Sequence, residues 1–301
     1  MQVLHTLPEL AALNRPVHLA IGVFDGVHLG HQHVINAART GSDASVVLTF
    51  DPHPMRVLHP DKAPPLLTST SHKLALIKQL GIDAALVLPF TREFANTPAE
   101  EFLKQLAAPA HHLRQICVGV RFHFGHNRAG NSLVMAKHAT QLDYIVTEIP
   151  AVHTADGEMI SSSAVRQHIL HGHLDRAAAM LGRPFSLLGT VEPGDHRGRS
   201  LGFPTANLNL HNEVLPPDGV YAARVEQHAA VVNVGLRPTF THPTPHRLIE
   251  VHILDFTGDL YGKDIEVALI EKIRGEQKFP SAEALKEQIR TDIGKARLLL
   301  G

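Results

Sequence analysis

Apolar and polar positions give the chain two textures. In the first half, short runs rich in Val, Ile and Leu at 18–24, 45–50, 84–88, 115–120 and 144–149 alternate with stretches of helical period. Continuous apolar runs of that length are expected of strands buried on both faces. The intervening pattern predicts helices over 30–39, 69–80, 98–107 and 130–140. In the second of these, Leu74, Ile77 and Leu80 recur at helical spacing. The third is opened by Thr97 or Pro98 and carries Glu100 and Glu101 in its first turn, where the helix dipole favours acids. Strands alternating with helices predict a parallel α/β sheet, whose ligands sit at the carboxyl ends of the strands.

Two more helices follow at 161–171 and 174–181, with Gly182 as a C-cap and Pro184 blocking continuation. The texture then changes. Short β-rich runs at 186–191, 221–225, 229–234, 248–255 and 265–270 are punctuated by Pro193-Gly194-Asp195, Pro217-Asp218-Gly219 and Thr257-Gly258-Asp259. This is the pattern of an antiparallel barrel or sandwich. A helix near 281–299 closes the chain, capped by Ser281 and striped by Leu285, Ile289, Ile293 and Ala296. The change of texture divides the chain into domains at 1–182 and 183–301, with no internal repeat or low-complexity segment.

Composition narrows the classes of function. The 301 residues carry 28 Lys+Arg against 29 Asp+Glu, which gives no support to a broad nucleic-acid or membrane surface. No apolar run approaches the roughly 18–20 residues of a membrane span. The N-terminal Met1-Gln2-Val3-Leu4-His5 lacks a basic stretch ahead of an apolar core, so the expected location is the cytoplasm. Cys117 is the only cysteine; within Ile116-Cys117-Val118 it reads as a buried, inert thiol. With 23 histidines, chance clusters are expected, including His168, His171 and His173 and also His28, His31 and His33. His111, His112, His242 and His246 read as surface residues.

Two strings carry the candidate chemistry. In Val23-Phe24-Asp25-Gly26-Val27-His28-Leu29-Gly30-His31, a glycine-bearing loop links the first strand to a helix expected to open at His31. Glycines admit close approach of a phosphate, and free N–H groups at a helix start favour anions. His28 and His31 could donate hydrogen bonds to phosphate oxygens as charge redistributes in a transition state. Ile160-Ser161-Ser162-Ser163-Ala164-Val165-Arg166 opens a further helix with three hydroxyls and places Arg166 in its first or second turn, a set suited to a nucleotide triphosphate.

The second string is Leu201-Gly202-Phe203-Pro204-Thr205-Ala206-Asn207, preceded by the glycines and arginines of 194–199. In an extended segment Thr205 and Asn207 face the same side. Their hydroxyl and amide oxygens are hard ligands suited to magnesium beside phosphate. An Asx-type turn after proline is the structural alternative. No phosphate-loop string G-x-x-x-x-G-K-[ST] occurs. On a strand over 248–255, Glu250 and His252 point away from Ile249, Val251 and Ile253, and a carboxylate so placed could accept a proton from an attacking hydroxyl.

Together these residues resemble the bacterial bifunctional riboflavin kinase/FAD synthetase family. Further landmarks are Thr49-Phe50-Asp51-Pro52-His53-Pro54, Gly182-Arg183-Pro184-Phe185, Asn233-Val234-Gly235-Leu236-Arg237-Pro238-Thr239-Phe240 and residues 250–261. The resemblance implies a Rossmann-like nucleotidyltransferase domain with a parallel sheet, then a C-terminal antiparallel β-barrel with a C-terminal helix. It implies ATP as co-substrate, riboflavin and FMN as substrates and FAD as product. By match to the family motifs, Thr205 and Asn207 would hold Mg²⁺-nucleotide and Glu250 would be the general base of the kinase. His28 and His31 would stabilise adenylyl transfer. Gly22, Phe24, Asp25, Gly30, Ser162, Ser163, Arg166, Gly198, Arg199, Gly202 and Pro204 would contact ATP, and Phe122, Phe124 and Arg237 the flavin.

The chain departs from the family where Arg121-Phe122-His123-Phe124-Gly125 replaces Asp-Phe-Arg-Phe-Gly, and milder changes put Ser163 for threonine and Val165 for isoleucine. Two alternatives therefore stand beside the bifunctional reading. One is a kinase with weakened adenylyltransferase; the other is a non-catalytic flavin or nucleotide sensor.

Overall fold

The computed structural model describes residues 1–39, 41–108, 113–193, 201–236 and 247–301. They form two compact units, Met1–Pro65 with Thr70–Ser162, and Leu66–Ser69 with Ser163–Gly301.

The first unit holds strands β1 (Gln2–Leu4), β2 (Val17–Ile21), β3 (Ala44–Asp51), β4 (Ala84–Pro89), β5 (Leu113–Gly119) and β6 (Ile145–Ile149). All pair in parallel, in the order β1-β4-β3-β2-β5-β6. Helices α1 (Leu29–Ala37), α2 (Pro54–Leu58), α3 (Thr70–Gln79), α4 (Arg92–Ala95), α5 (Ala99–Ala107) and α6 (Ser132–Leu142) lie between them. Val46 and Leu48 enter one core with Phe102, Leu103 and Met135, whereas Val47 between them enters the other with Val34, Ile35 and Ile77. Apolar cover on both faces is why these strands read as unbroken apolar runs, each such side chain contributing about 1.5–3 kcal/mol on full burial. The edge strand β1 has only three residues, too few to show a period, and is absent from the sequence reading.

Strand β2, expected over 18–24, ends earlier than expected. It stops at Ile21, and the Gly22 N–H still donates to the Leu48 carbonyl at 3.1 Å before the chain turns. Phe24 (φ 54°), Gly26 (φ 81°) and Val27 (φ 43°) then adopt left-handed backbone, which no strand can continue. Helix α1 begins at Leu29 rather than at His31, with His28 as its cap. Since β3 and β4 lie on one side of β2 and β5 and β6 on the other, strand order reverses between β2 and β5. Ligands of open parallel sheets bind in the crevice beyond such a switch point, which is where the chain leaves β2 through 22–28 and β5 through 120–125.

In the second unit, α7 (Ser162–Leu170) continues from the last residue of the first, and α8 (Leu174–Leu181) packs on β7 and β12 defined below. Gly182 (φ 70°) closes α8 as expected, its N–H donating to Ala178 at 2.8 Å. Strands β7 (Phe185–Glu192), β8 (Ala206–Leu210), β9 (Gly219–Val225), β10 (His228–Leu236), β11 (Arg247–Ile253) and β12 (Asp264–Arg274) close an antiparallel barrel in the order β10-β11-β8-β7-β12-β9, which decides between barrel and sandwich. Leu187, Leu208, Tyr221, Val232, Val234, Ile249, Val251 and Val267 are buried. Helix α9 (Ala282–Leu300), capped by the Ser281 hydroxyl on the Ala284 N–H at 3.2 Å, packs Ala296 and Leu300 with Ala222, Val231, Ile270 and Ile273. That second cover makes β9 apolar on both faces. The buried Asp292 accepts Arg274 Nε at 3.1 and 2.9 Å and ties α9 to the end of β12. Strand β8, unpredicted, carries two asparagines in five residues, a composition poor in strand formers. No described helix is long and apolar enough to cross a membrane.

Candidate active sites

The loop after β2 is fastened from several sides. The Val23 carbonyl accepts from Thr49 Oγ1 at 3.0 Å and Lys73 Nζ at 3.1 Å. The Phe24 carbonyl accepts from the Val27 N–H at 3.1 Å, the Asp25 carbonyl from Ser162 Oγ at 2.9 Å and the Val27 carbonyl from Gln32 Nε2 at 2.9 Å. A Cβ on Gly22 would lie 2.8 Å from the Phe24 ring, and one on Gly30 3.1 Å from the His28 ring. These glycines therefore let the two aromatic rings lie close over the backbone.

His28 and His31 are brought together as the spacing implied. Their rings stack with centroids 3.5 Å apart, and Phe24 meets His31 edge-on at 5.3 Å. The His31 backbone N–H donates to His28 Nδ1 at 3.2 Å. An amide can only donate, so Nδ1 is the acceptor and the neutral His28 ring carries its proton on Nε2. Among the described residues nothing bonds the buried His31 Nδ1. Burial, with repulsion from the neighbouring His28 and Lys73 against a second positive charge, holds the His31 pKa well below the ordinary histidine value, so the ring is neutral at pH 7. Asp25, in the same loop, is buried. Ser163 and Arg166 lie on α7, Arg166 buried and in the second turn.

An aromatic run borders the strand ends. Phe50 meets Phe90 at 5.6 Å, Phe90 meets Phe94 at 5.7 Å, Phe94 meets Phe102 at 5.9 Å, Phe102 meets Phe124 at 5.7 Å and Phe124 stacks on Phe122 at 5.8 Å. Phe124 is part of the core, and Phe122 packs half-buried against it. A Cβ on Gly130 would lie 2.6 Å from the Phe124 ring, so that glycine makes the seat for Phe124. The unusual His123 is exposed, with Nδ1 3.1 Å from the Arg121 carbonyl and 3.5 Å from Arg128 Nη2.

On the barrel, Gly202 has φ 90° and needs a residue without Cβ. His252 Nδ1 donates to the Pro204 carbonyl at 2.7 Å and its ring meets Phe203 edge-on at 5.9 Å, which docks the Gly202–Thr205 turn beside β11. Asn207 then lies in β8 opposite Glu250 of β11 and opposite Glu192 of β7, while Asn233 of β10 lies opposite Glu250 on its other side. Directly opposed residues of antiparallel strands share a face with Cβ atoms about 4.5–5.5 Å apart. Glu192, Asn207, Glu250 and Asn233 therefore form one polar row on the face away from Ile249 and Leu208. Glu192 Oε1 accepts from Asn209 Nδ2 at 2.7 Å. Thr205 and Asn207 offer hard oxygen donors, which fit Mg²⁺ completed by phosphate and water.

Gly198, Arg199 and Arg237, together with His111, His112, His242 and His246, lie outside the described residues. Sequence reasoning did not single out Lys73 or Glu192, and took Asn233 only as the start of a family landmark. Lys73 sits in no motif, and the places of Glu192 and Asn233 in the polar row become visible only through strand register. Cys117 is fully buried, as expected, and burial pushes its thiol up to about 12.

Comparison with known proteins matches the FAD synthetase family over residues 10–164 and the riboflavin kinase family over residues 181–300. The bifunctional riboflavin kinase/FMN adenylyltransferase of Escherichia coli strain K12 is 38% identical over 292 residues, covering 94% of this chain and 92% of its own. The protein of the same name from Buchnera aphidicola subsp. Schizaphis graminum is 34% identical over 302 residues, covering 97% of each chain. A Streptococcus pneumoniae crystal structure described as a macrolide-efflux protein superposes with a TM-score of 0.79 at 30% identity, covering 94% of each chain.

Proposed function

Because the chain belongs to the bifunctional riboflavin kinase/FMN adenylyltransferase family, we propose that its two polar loops are two separate active sites. The protein phosphorylates riboflavin with ATP to give FMN, and joins FMN to the adenylyl part of a second ATP to give FAD and pyrophosphate. We assign adenylyl transfer to residues 1–182 and the kinase to 183–301, an assignment supported by the two matched segments.

In the kinase, Glu250 accepts the proton of the riboflavin 5′-hydroxyl as that oxygen attacks the γ-phosphorus and ADP leaves. The pairing of Glu250 with Asn207 is the observation that carries this reading, since it sets a proton acceptor beside a nucleotide-holding amide. Thr205 and Asn207 would hold Mg²⁺, which when bound neutralises charge on the phosphates. Gly202 and Pro204 shape the turn that presents them, and by match to the family motif Gly198 and Arg199 would contact ATP. Arg237 would contact the flavin.

In adenylyl transfer an FMN phosphate oxygen attacks the α-phosphorus of ATP and pyrophosphate leaves, with no covalent enzyme intermediate. His28 and His31, both neutral donors, hydrogen-bond the phosphate oxygens as charge shifts toward pyrophosphate. Gly22, Phe24, Asp25 and Gly30 shape the loop. By match to the family motif Ser162, Ser163 and Arg166 would contact ATP, and Phe122 and Phe124 would give the flavin an aromatic surface.

A time course with riboflavin, ATP and Mg²⁺, resolved by chromatography, tests the reading. FMN should appear first and FAD later. FMN alone would locate a defect at Arg121 and His123. No product from a folded, flavin-binding protein would overturn the enzymatic reading in favour of a sensor.

A further inference from the structure

Lys73 of α3 belongs to neither site string, yet it is one of the most enclosed charges in the first unit, 5% exposed. Its ammonium donates to the Val23 carbonyl at 3.1 Å and to Thr49 Oγ1 at 3.1 Å, and Thr49 donates to the same carbonyl at 3.0 Å. Three charged or titratable groups act on it from other elements: Asp25 in the loop after β2, Asp51 at the end of β3 and His31 on α1. Taking an ammonium out of water is costly, so packing alone would favour an apolar side chain at this position.

Val23 is the last residue before three left-handed conformations in four positions, Phe24, Gly26 and Val27. Two of these are not glycine, and Val27 is β-branched. Such conformations are strained and persist only where the surroundings over-determine them. The loop's carbonyl fasteners are Thr49, Lys73, the Val27 N–H, Ser162 and Gln32. Among these Lys73 is the charged one.

We propose that Lys73 is a positioning residue for adenylyl transfer, its buried ammonium fixing the Val23 carbonyl and through it the loop that presents Asp25, His28 and His31. This rests on reading that loop as the nucleotidyl-transfer site. Burial lowers the Lys73 pKa to about 8, with Asp25 and Asp51 raising it in opposition. The fastener therefore loses its charge as pH rises through that value. An arginine in its place stays charged throughout.

The experiment measures FAD formation from supplied FMN and FMN formation from riboflavin separately, on both sides of pH 8, in the full chain. Lys73→Met should lower kcat for FAD formation about tenfold or more, the scale of a small misplacement of catalytic groups, with KM for ATP little changed. FMN formation should keep its wild-type rate. Wild-type FAD formation should fall as pH rises through about 8, and Lys73→Arg should recover activity and remove that fall. FAD formation within about twofold of wild type in K73M overturns the proposal. So does a loss that arginine leaves uncorrected while the alkaline fall persists, since that would mark a packing role. If K73M loses both activities, Thr49→Val decides: a severalfold loss of FAD formation with the kinase intact supports the proposal, and no loss overturns it. His31→Ala measured in parallel separates the two readings, because unimpaired FAD formation there would refute the site assignment itself.

Discussion

Glu250 and Asn207 stand directly opposite each other on β11 and β8, although a long stretch of chain separates them. A carboxylate and an amide at one height on one barrel face can serve one phosphate-bearing ligand. Asn233 and Glu192 extend the row to either side. The barrel interior beneath, with Ile249 and Leu208 facing each other, fixes the register that makes the pairing.

If Glu250 is the proton acceptor, Glu250→Gln should keep the shape of the row and lower the kinase kcat by roughly 10²–10⁴-fold, the usual scale of general base catalysis. Steady-state kinetics with riboflavin check this. A near-normal kcat would leave Glu250 a structural member of the strand.

The two sites should fail independently. Asn207→Ala removes a hard oxygen ligand and should abolish FMN formation while FAD still forms from supplied FMN. His31→Ala should do the reverse. Chromatographic product assays on each variant check both arms, and loss of both activities in either folded variant would refute the two-site assignment.

Lys73 should leave a signature in stability as well as in rate. Its folded-state pKa of about 8 lies below the ordinary lysine value of 10.5, so between those values the unfolded chain binds more protons than the native one. Wild-type stability from this group should therefore rise with pH across that window, by on the order of 3 kcal/mol. Lys73→Met should lack that rise. Denaturant titrations of both proteins at neutral and alkaline pH measure the difference, which cancels the buried Tyr144, Tyr221 and Cys117 that titrate nearby in both. Parallel curves would show that the native and unfolded states hold the lysine equally.

Cys117 should report unfolding of the first unit. It is fully buried and its thiol is pushed up to about 12, so thiol reagents at about pH 8 should leave the native chain unmodified. Modification should follow denaturant-induced opening of the sheet. Rapid labelling under native conditions would mean that β5 opens locally.

The Phe124 seat offers a more local test. Gly130→Ala puts a Cβ against the Phe124 ring and should raise KM for FMN in FAD formation while sparing the kinase, as initial-rate kinetics would show.

The amino-acid sequence by itself determined the alternation of strands and helices, the caps at Gly182 and Ser281, and the two strings that carry His28 with His31 and Thr205 with Asn207. Each is written in the side chains of neighbouring residues, as a period, a cap or a turn. Only the tertiary structure decided what those signals leave open. It ended β2 at Ile21, because the strained turn at Phe24 is held by Thr49 and Lys73 from other elements. It added the edge strand β1 and the asparagine-bearing β8, whose short or polar sequences form strands because a neighbouring strand supplies their hydrogen bonds. It closed the second unit as a barrel and set Glu250 between Asn207 and Asn233. Those relationships join residues distant along the chain, and they follow from which apolar faces pack together, a choice made by the whole fold rather than by any local run of residues.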